Sequence, residues 1–293
     1  MNKLHILDVF AEEKYAGNQL AVVRVKRKLS DSEMQKIARE INFSETTFIL
    51  SDVPQNRGYD VRIFTPQKEI PFAGHPTIGT AYIIQKEIIK KPVKSVILNL
   101  KVGQIPVALS YRGGKIIRLT MKQMEPTFGR RFDIQKIAEV LSSHKSEIDD
   151  RFPIEEVSTG LPFIIVPLKT LNAVKMARIE KEKYYEMIKD IDAKAILIFS
   201  PETYRKENHL NVRMFAPYYG ISEDPATGSA NGCLAGYLVK HRYFDKDRIN
   251  VRVEQGYEIG RPSLLFLKAN MKGEKIEIYV GGKVIGVING ILL

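Results

Sequence analysis

Three short runs combine residue types that could move a proton or hold an anion. The first, Asn42-Phe43-Ser44-Glu45-Thr46-Thr47-Phe48, puts a carboxyl group where a helical pattern ends and a strand-like run begins. Its flanks are apolar or hydroxylic. Taken alone, Glu45 reads as a solvated edge residue. Drawn into a partly dry site, a carboxyl group has its pKa raised, which suits it to give and take protons near neutrality. The other two runs are Gly74-His75-Pro76-Thr77 and Asp224-Pro225-Ala226-Thr227-Gly228-Ser229. Both read as helix N-termini. Proline is tolerated in a first turn and glycine lets a ligand approach. Free N–H groups and the positive end of the helix dipole favour an anion there. Each run also has a plainer reading, with Asp224 as an N-cap and His75 as a turn residue.

What lifts these runs above ordinary caps is that they recur. Residues 61–66 read VRIFTP and residues 212–217 read VRMFAP; Pro76-Thr-Ile-Gly79-Thr-Ala81 is answered by Pro225-Ala-Thr-Gly228-Ser-Ala230. The spacing between copies is 151 residues at the first match and 149 at the second, close to half the chain. Two copies are too few for a solenoid, so the repeat predicts a duplicated domain, with two lobes facing each other across a cleft. Clefts of that kind are favoured places for small ligands. The boundary is expected near residues 118–132, where KIIRLTM gives way to QMEPTFGRRFD.

The elements that must carry these residues are mostly strands. HILDVF, QLAVVRV, TTFIL, DVRIFT, SVILNL, IPVALSY, KIIRLTM, FIIVPL, AILIFS, NVRMFA, INVRV, SLLFLKA and KIEIYV are short, rich in Val, Ile and Phe, and bounded by turn residues. Helical patterns are fewer: Ser30–Ile41, with Ser30 and Glu33 at capping-box spacing, then Thr77–Ile89, Asp133–Leu141, Lys181–Ile188 and Ala226–Lys240. The fold class is α+β, with many antiparallel connections, not a doubly wound parallel sheet. No dinucleotide glycine fingerprint or P-loop is present.

Composition sets the outer limits. A chain of 293 residues suggests two domains and can bury a full core. One cysteine, Cys233, excludes an intrachain disulfide and a metal site built on several thiolates. No apolar run approaches a membrane helix, and Asp8, Glu12 and Glu13 interrupt the first apolar stretch, so no signal peptide is read and a cytoplasmic protein is expected. The net charge of +11 admits an anionic substrate. The basic residues are scattered with no RNA-binding aromatic signature, so they are read as solubilising surface, with nucleic acid unlikely as a partner.

Several segments resemble the PhzF-like, phenazine-biosynthesis-type family, which shares the diaminopimelate-epimerase fold. They are DVFAEEKYAGNQLAVV, FSETTFIL, RIFTPQKEIPFAGHPTIGTAYI and MFAPYYGISEDPATGSANGCLAGYL, in the family's order between residues 8 and 238. The resemblance implies two pseudo-twofold lobes, each a β-barrel-like sheet around a central helix. It places the N-terminal lobe at 1–122 together with a final strand (283–293), and the C-terminal lobe at 123–282. It also implies a homodimer and no cofactor. Amino-acid epimerases of this fold use two cysteines, one at each helix start. Here those positions carry His75 and Asp224, and Cys233 lies deeper in the second helix, where a buried thiol is expected.

Carried over by motif, Glu45 is the general acid/base of an isomerase that moves a proton within a small, possibly cyclic and unsaturated, carboxylic acid. The family reaction isomerises trans-2,3-dihydro-3-hydroxyanthranilate. His75 and Asp224 are then expected to hydrogen-bond the substrate, with Asn18, Gly74, Thr77, Gly228, Ser229 and Ala230 lining its site. One departure stands out: the family's usual Gly-Asn-Pro is Gly17-Asn18-Gln19 here. Two other readings remain open, a small-anion or nucleic-acid binding protein without turnover, and an epimerase that works without cysteines.

Overall fold

A computed structural model describes residues 1–293. The chain divides into two compact units, Met1–Lys122 with Gly281–Leu293, and Gln123–Val280. In the first unit, β1 (Asn2–Val9) lies antiparallel between β2 (Asn18–Arg24) and the last strand of the chain, β17 (Val284–Leu292). The sheet continues through β3 (Thr46–Ile49), parallel to β2, and β4 (Tyr59–Phe64), antiparallel to β3, with the two-residue β5 (Glu69–Ile70) at its side. Next come β6 (Ser95–Leu100), parallel to β4, then β7 (Gly103–Arg112) and β8 (Lys115–Lys122) in an antiparallel meander.

The second unit repeats this succession. β9 (Thr127–Arg131), β10 (Glu155–Ser158) and β11 (Pro162–Pro167) are antiparallel neighbours; β12 (Ala195–Ser200) runs parallel to β11 and β13 (Leu210–Phe215) antiparallel to β12. β14 (Arg248–Gln255) is parallel to β13 and β15 (Ser263–Lys272) antiparallel to β14, followed by β16 (Lys275–Gly282). The register carries the repeat residue by residue. Thr46 faces Phe64 as Ile196 faces Phe215, so the position of Glu45 is matched by Ala195. Ala21 faces Thr46 as Ile164 faces Ile196, which sets Gly17-Asn18-Gln19 level with Gly160-Leu161-Pro162.

Each unit packs its sheet around one helix. α1 (Asp31–Ile41) lies on the outside of the first unit, with Met34 and Ala38 against Phe48 and Phe64. Its expected Ser30/Glu33 capping box is present, and Asn42 ends it in the left-handed region at φ 55°, turning the chain three residues before Glu45. The inner helix is α2 (Gly74–Ile83), buried from His75 through Ala81 and touching strands of the same sheet. A helix apolar on all sides belongs in a core. In the second unit α3 (Ile134–Val140), α4 (Leu171–Met176) and α5 (Lys181–Ile188) lie outside, and α6 (Gly228–Lys240) is the inner helix, buried from Ala230 through Val239.

Both inner helices depart from the sequence expectation at their starts. α2 begins at Gly74, ahead of Thr77, so His75 sits inside the first turn and is not a turn residue. Its last six expected residues, Ile84–Ile89, are π-helical. α6 begins at Gly228, two residues after Ala226, and its N-cap is Thr227, not Asp224. The loop between them is tied to β13 and β14 instead: the Asp224 N–H bonds the Met214 carbonyl at 3.1 Å and the Thr227 N–H bonds Gln255 Oε1 at 3.2 Å, so the chain stays extended through Thr227 (φ −113°, ψ 99°). The stretch QMEPTFGRRFD, read as a boundary, contains β9, whose mostly exposed residues show no apolar alternation. α4 and β10 were also outside the expected elements; both are too short to show a period. No helix is long and apolar enough to cross a membrane.

Candidate active site

In the first unit the strand's alternation decides what Glu45 meets. Phe48 turns to the α1 side and packs there. Thr47 turns to α2, where its hydroxyl pairs with that of Thr80 at 2.8 Å, both groups being buried. Glu45, two residues before Thr47, shares that side and meets α2 one turn and a half earlier, at His75. Glu45 Oε2 lies 3.3 Å from His75 Nε2, with the two side chains only 16% and 8% exposed. The contact does not have the alignment of a hydrogen bond.

Burial pushes the His75 imidazole down to about 3, and a hydrogen bond to the Gln19 backbone opposes this only in part. His75 is therefore neutral at physiological pH, and the pair is not an ion pair. A backbone partner that favours the protonated ring is a carbonyl, so one ring nitrogen donates to Gln19. Nε2 has no hydrogen-bond partner, which leaves Nδ1 as that donor. Nε2 then turns a lone pair to Glu45, and the contact is attractive when Oε2 carries a proton. The geometry is that of a carboxyl group beside a neutral, orientated imidazole.

The remaining expected residues of this unit surround the start of α2. Asn18 is buried at the first position of β2, directly after Gly17, whose φ is +68°. A Cβ on Gly17 would lie 2.4 Å from the Val9 carbonyl oxygen, so only glycine fits. Gly74 is half-buried at the first helical position. Thr77 is fully buried, and its hydroxyl donates to the Ala73 carbonyl at 2.7 Å, within the helix itself. The N-cap of α2, Ala73, supplies no side-chain cap, and its first turn has no acidic residue. Of the outer helices, α1, α3 and α4 are capped by a side chain, from Ser30, Asp133 and Thr170, and α5 is not.

In the second unit, α6 likewise starts without a side-chain cap and without an acidic residue in its first turn. Gly228 and Ala230 are buried and Ser229 is half-buried there. Asp224 is buried three residues ahead of the N-cap. Its carboxylate accepts the Thr227 hydroxyl through Oδ2. Gln255, at the end of β14, reaches the same loop with Nε2 donating to the Asp224 carbonyl at 2.8 Å. The neighbouring Glu223 is gripped by a bidentate fork from Arg213, at 3.0 and 2.7 Å, while the third guanidinium nitrogen caps α4 through the carbonyls of Val174, Lys175 and Ala177.

The fork has a counterpart in the first unit, where Arg62 holds Glu69 at 2.9 and 2.7 Å. Arg62 and Arg213 are the arginines of VRIF and VRMF, so each copy of the repeat ties its strand to the loop that leads into its inner helix. Sequence reasoning passed over these residues and Gln255. The duplicated arginine was the available signal for the forks; nothing in the sequence pointed to Gln255.

Cys233 is buried in α6 and its thiol is pushed up to about 12 by burial, so it is not a nucleophile at neutral pH. No group of three or more His, Cys, Asp or Glu residues is placed to hold a metal ion.

The phenazine biosynthesis-like protein family model, PhzC-PhzF, matches residues 7–290. A trans-2,3-dihydro-3-hydroxyanthranilate isomerase of Pseudomonas aeruginosa is 35% identical over 277 residues, covering 94% of this chain and 93% of the relative. The crystal structure of a Bacillus anthracis phenazine biosynthesis protein of the PhzF family superposes with a TM-score of 0.90 at 28% identity, over the full length of both chains. A probable proline racemase from Agrobacterium radiobacter K84, at 9% identity and a TM-score of 0.66 over 100% of this chain and 93% of that one, shares the fold alone. A family match across nearly the whole chain, with relatives named as isomerases, makes this protein an isomerase of the PhzC-PhzF family.

Proposed function

We propose that the protein isomerises a small, unsaturated carboxylic acid by moving one proton, with Glu45 as the general acid/base and no cofactor. The observation that carries this reading is the Glu45–His75 contact at 3.3 Å in nearly dry surroundings, beside an uncapped helix start. Glu45 takes the proton from an acidic carbon. The electron pair of that C–H bond shifts into the adjacent unsaturation, and the same carboxyl group returns the proton to another carbon. Atoms and charge are conserved over the cycle.

His75 and Asp224 hold polar groups of the substrate. The N–H groups at the starts of α2 and α6, with the Ser229 hydroxyl, bind its carboxylate and stabilise the negative charge that develops as the C–H bond breaks. This requires the two inner helix starts to serve one substrate in a cleft between the lobes. The duplicated topology and the family support that arrangement. The unmatched carboxyl supports a single base, since Ala195 stands at the register of Glu45 in the second unit.

The substrate named for the Pseudomonas aeruginosa relative, trans-2,3-dihydro-3-hydroxyanthranilate, is the first compound to assay. Glu45→Gln keeps the shape of the side chain and removes its basicity. It is expected to lower kcat by about 10²–10⁴-fold with substrate binding retained. A rate near that of the wild type removes Glu45 from the mechanism. In deuterated water, label appearing at a product carbon supports proton transfer through an exchangeable group. Ligand binding without any turnover would instead favour a binding protein.

A further inference from the structure

Resting on the reading of Asp224 as a substrate-facing group, we propose that Gln255 and Thr227 are positioning residues. They form a hydrogen-bond relay that fixes the Asp224 side chain in one rotamer. The direction of the relay follows from groups of fixed polarity. Gln255 is fully buried. The Asp224 carbonyl can only accept and the Thr227 N–H can only donate. The Gln255 amide is therefore locked with Nε2 at the Asp224 oxygen, 2.8 Å, and Oε1 at the Thr227 nitrogen, 3.2 Å. Asn231 reinforces that orientation, giving one Nδ2 hydrogen bond to Gln255 Oε1 at 2.9 Å and another to the Thr227 carbonyl at 3.0 Å.

The second Nε2 hydrogen of Gln255 points to Thr227 Oγ1 at 3.2 Å. A hydroxyl that accepts from an amide turns its own hydrogen away from it, and the next acceptor is Asp224 Oδ2. Donation therefore runs from Gln255 through Thr227 to Asp224.

Two observations separate this from ordinary capping. Thr227 is the N-cap of α6, yet its hydroxyl accepts no hydrogen bond from the first turn. A cap of that kind stabilises a helix, and it is forgone here in favour of Asp224. The backbone of the loop is also held independently, by the Asp224 N–H on Met214 and the Arg213–Glu223 fork. What the relay adds is a directed hydrogen bond to the side chain. The first unit has no such device. Its β6 residue at the register of Gln255 is Leu100, and His75 is held by the Gln19 backbone.

The test uses the full chain with Thr227→Val, which keeps the shape and removes the hydroxyl, and Thr227→Ser, which keeps the hydroxyl. In crystals, Asp224 is expected to leave its rotamer in Thr227→Val and keep it in Thr227→Ser. On trans-2,3-dihydro-3-hydroxyanthranilate, Thr227→Val is expected to lower kcat by about 10²-fold, the cost of a misplacement near 1 Å, with KM changing little. Thr227→Ser is expected to stay within a few-fold of wild type, and Thr227→Val to melt lower, because it leaves a hydrogen of the buried Gln255 amide unpaired, while remaining folded at the assay temperature. An unmoved Asp224 in the Thr227→Val crystal, or equal kcat for the Val and Ser variants of an active enzyme, overturns the relay. Asp224→Asn separates the two claims. If it leaves the rate intact, or if the wild type does not turn over this compound, the functional reading fails at that point and the rotamer in the Thr227→Val crystal alone decides the relay.

Discussion

At the residue scale, burial does most of the chemical preparation. His75 is neutral because no water solvates its charged form, and this makes the fold sensitive to acid. Its folded pKa, about 3, lies below the ordinary histidine value of 6.5. The unfolded chain therefore binds a proton that the native chain refuses. The stability tied to neutral His75 is complete above pH 6.5 and is lost as pH falls from 6.5 towards 3. By pH 4.5 the loss approaches about 3 kcal/mol. His75→Gln is expected to lose less stability between pH 7 and pH 4.5 than the wild type does, the remainder coming from groups such as His241, whose pKa burial also lowers. An equal acid sensitivity in the two proteins would show that His75 titrates normally.

The Thr47–Thr80 pair beside it gives a second prediction. Thr47→Val leaves the buried Thr80 hydroxyl without its partner and is expected to cost about 1–3 kcal/mol in urea unfolding. Adding Thr80→Val should recover most of that loss. The identity of Glu45 as a candidate was legible in its apolar and hydroxylic flanks. Its contact with His75 was not, because strand alternation becomes a contact only when the sheet has closed over α2.

At the element scale, the two arginine forks place the loops that lead into α2 and α6, and they differ in how replaceable they are. The Arg213 and Glu223 side chains are 10% and 7% exposed, and no second cation pairs with Glu223. Arg213→Met leaves a buried carboxylate without its counter-charge, for which about 3–5 kcal/mol is expected. Glu69 has a second cation, Lys101 at 2.6 Å. The hydrogen bonds from Arg62, with a smaller contribution from Lys101, hold its carboxyl down at about 2. Arg62→Met should therefore be the milder change, and paired denaturation curves decide it. Equal losses would mean that burial does not distinguish the forks. The helix starts were legible as motifs but misplaced by two or three residues in opposite directions. Proline and glycine mark that a helix begins nearby, whereas the first helical residue depends on where the loop's hydrogen bonds are anchored, and those anchors come from β13 and β14.

For the whole molecule, duplication built the scaffold and divergence built the chemistry. Both units share one succession of parallel and antiparallel neighbours, and both wrap it around a helix without a side-chain cap. Residues at matched positions then part company. Ala195 occupies in the second copy the position of Glu45 in the first, Asp224 that of His75, and Gln255 that of Leu100. The proline missing after Asn18 stands in the other copy as Pro162, at the register of Gln19. A carboxyl group that occurs in one copy only fits the proposed one-proton shuttle, and the Glu45→Gln assay tests that proposal at the level of the whole enzyme.

The amino-acid sequence by itself determined the α+β class, the duplication, nearly every long strand, the family and the three residues on which the functional reading rests. It could do so because apolar alternation, turn residues and repeated motifs are local patterns, written within a few consecutive positions. Only the tertiary structure decided that His75 is dry and neutral, that paired arginines hold the loops, and that Gln255 and Thr227 direct a hydrogen bond at Asp224. Those facts join residues distant in the chain, and desolvation and hydrogen-bond direction exist only once the sheet and its inner helix have packed together.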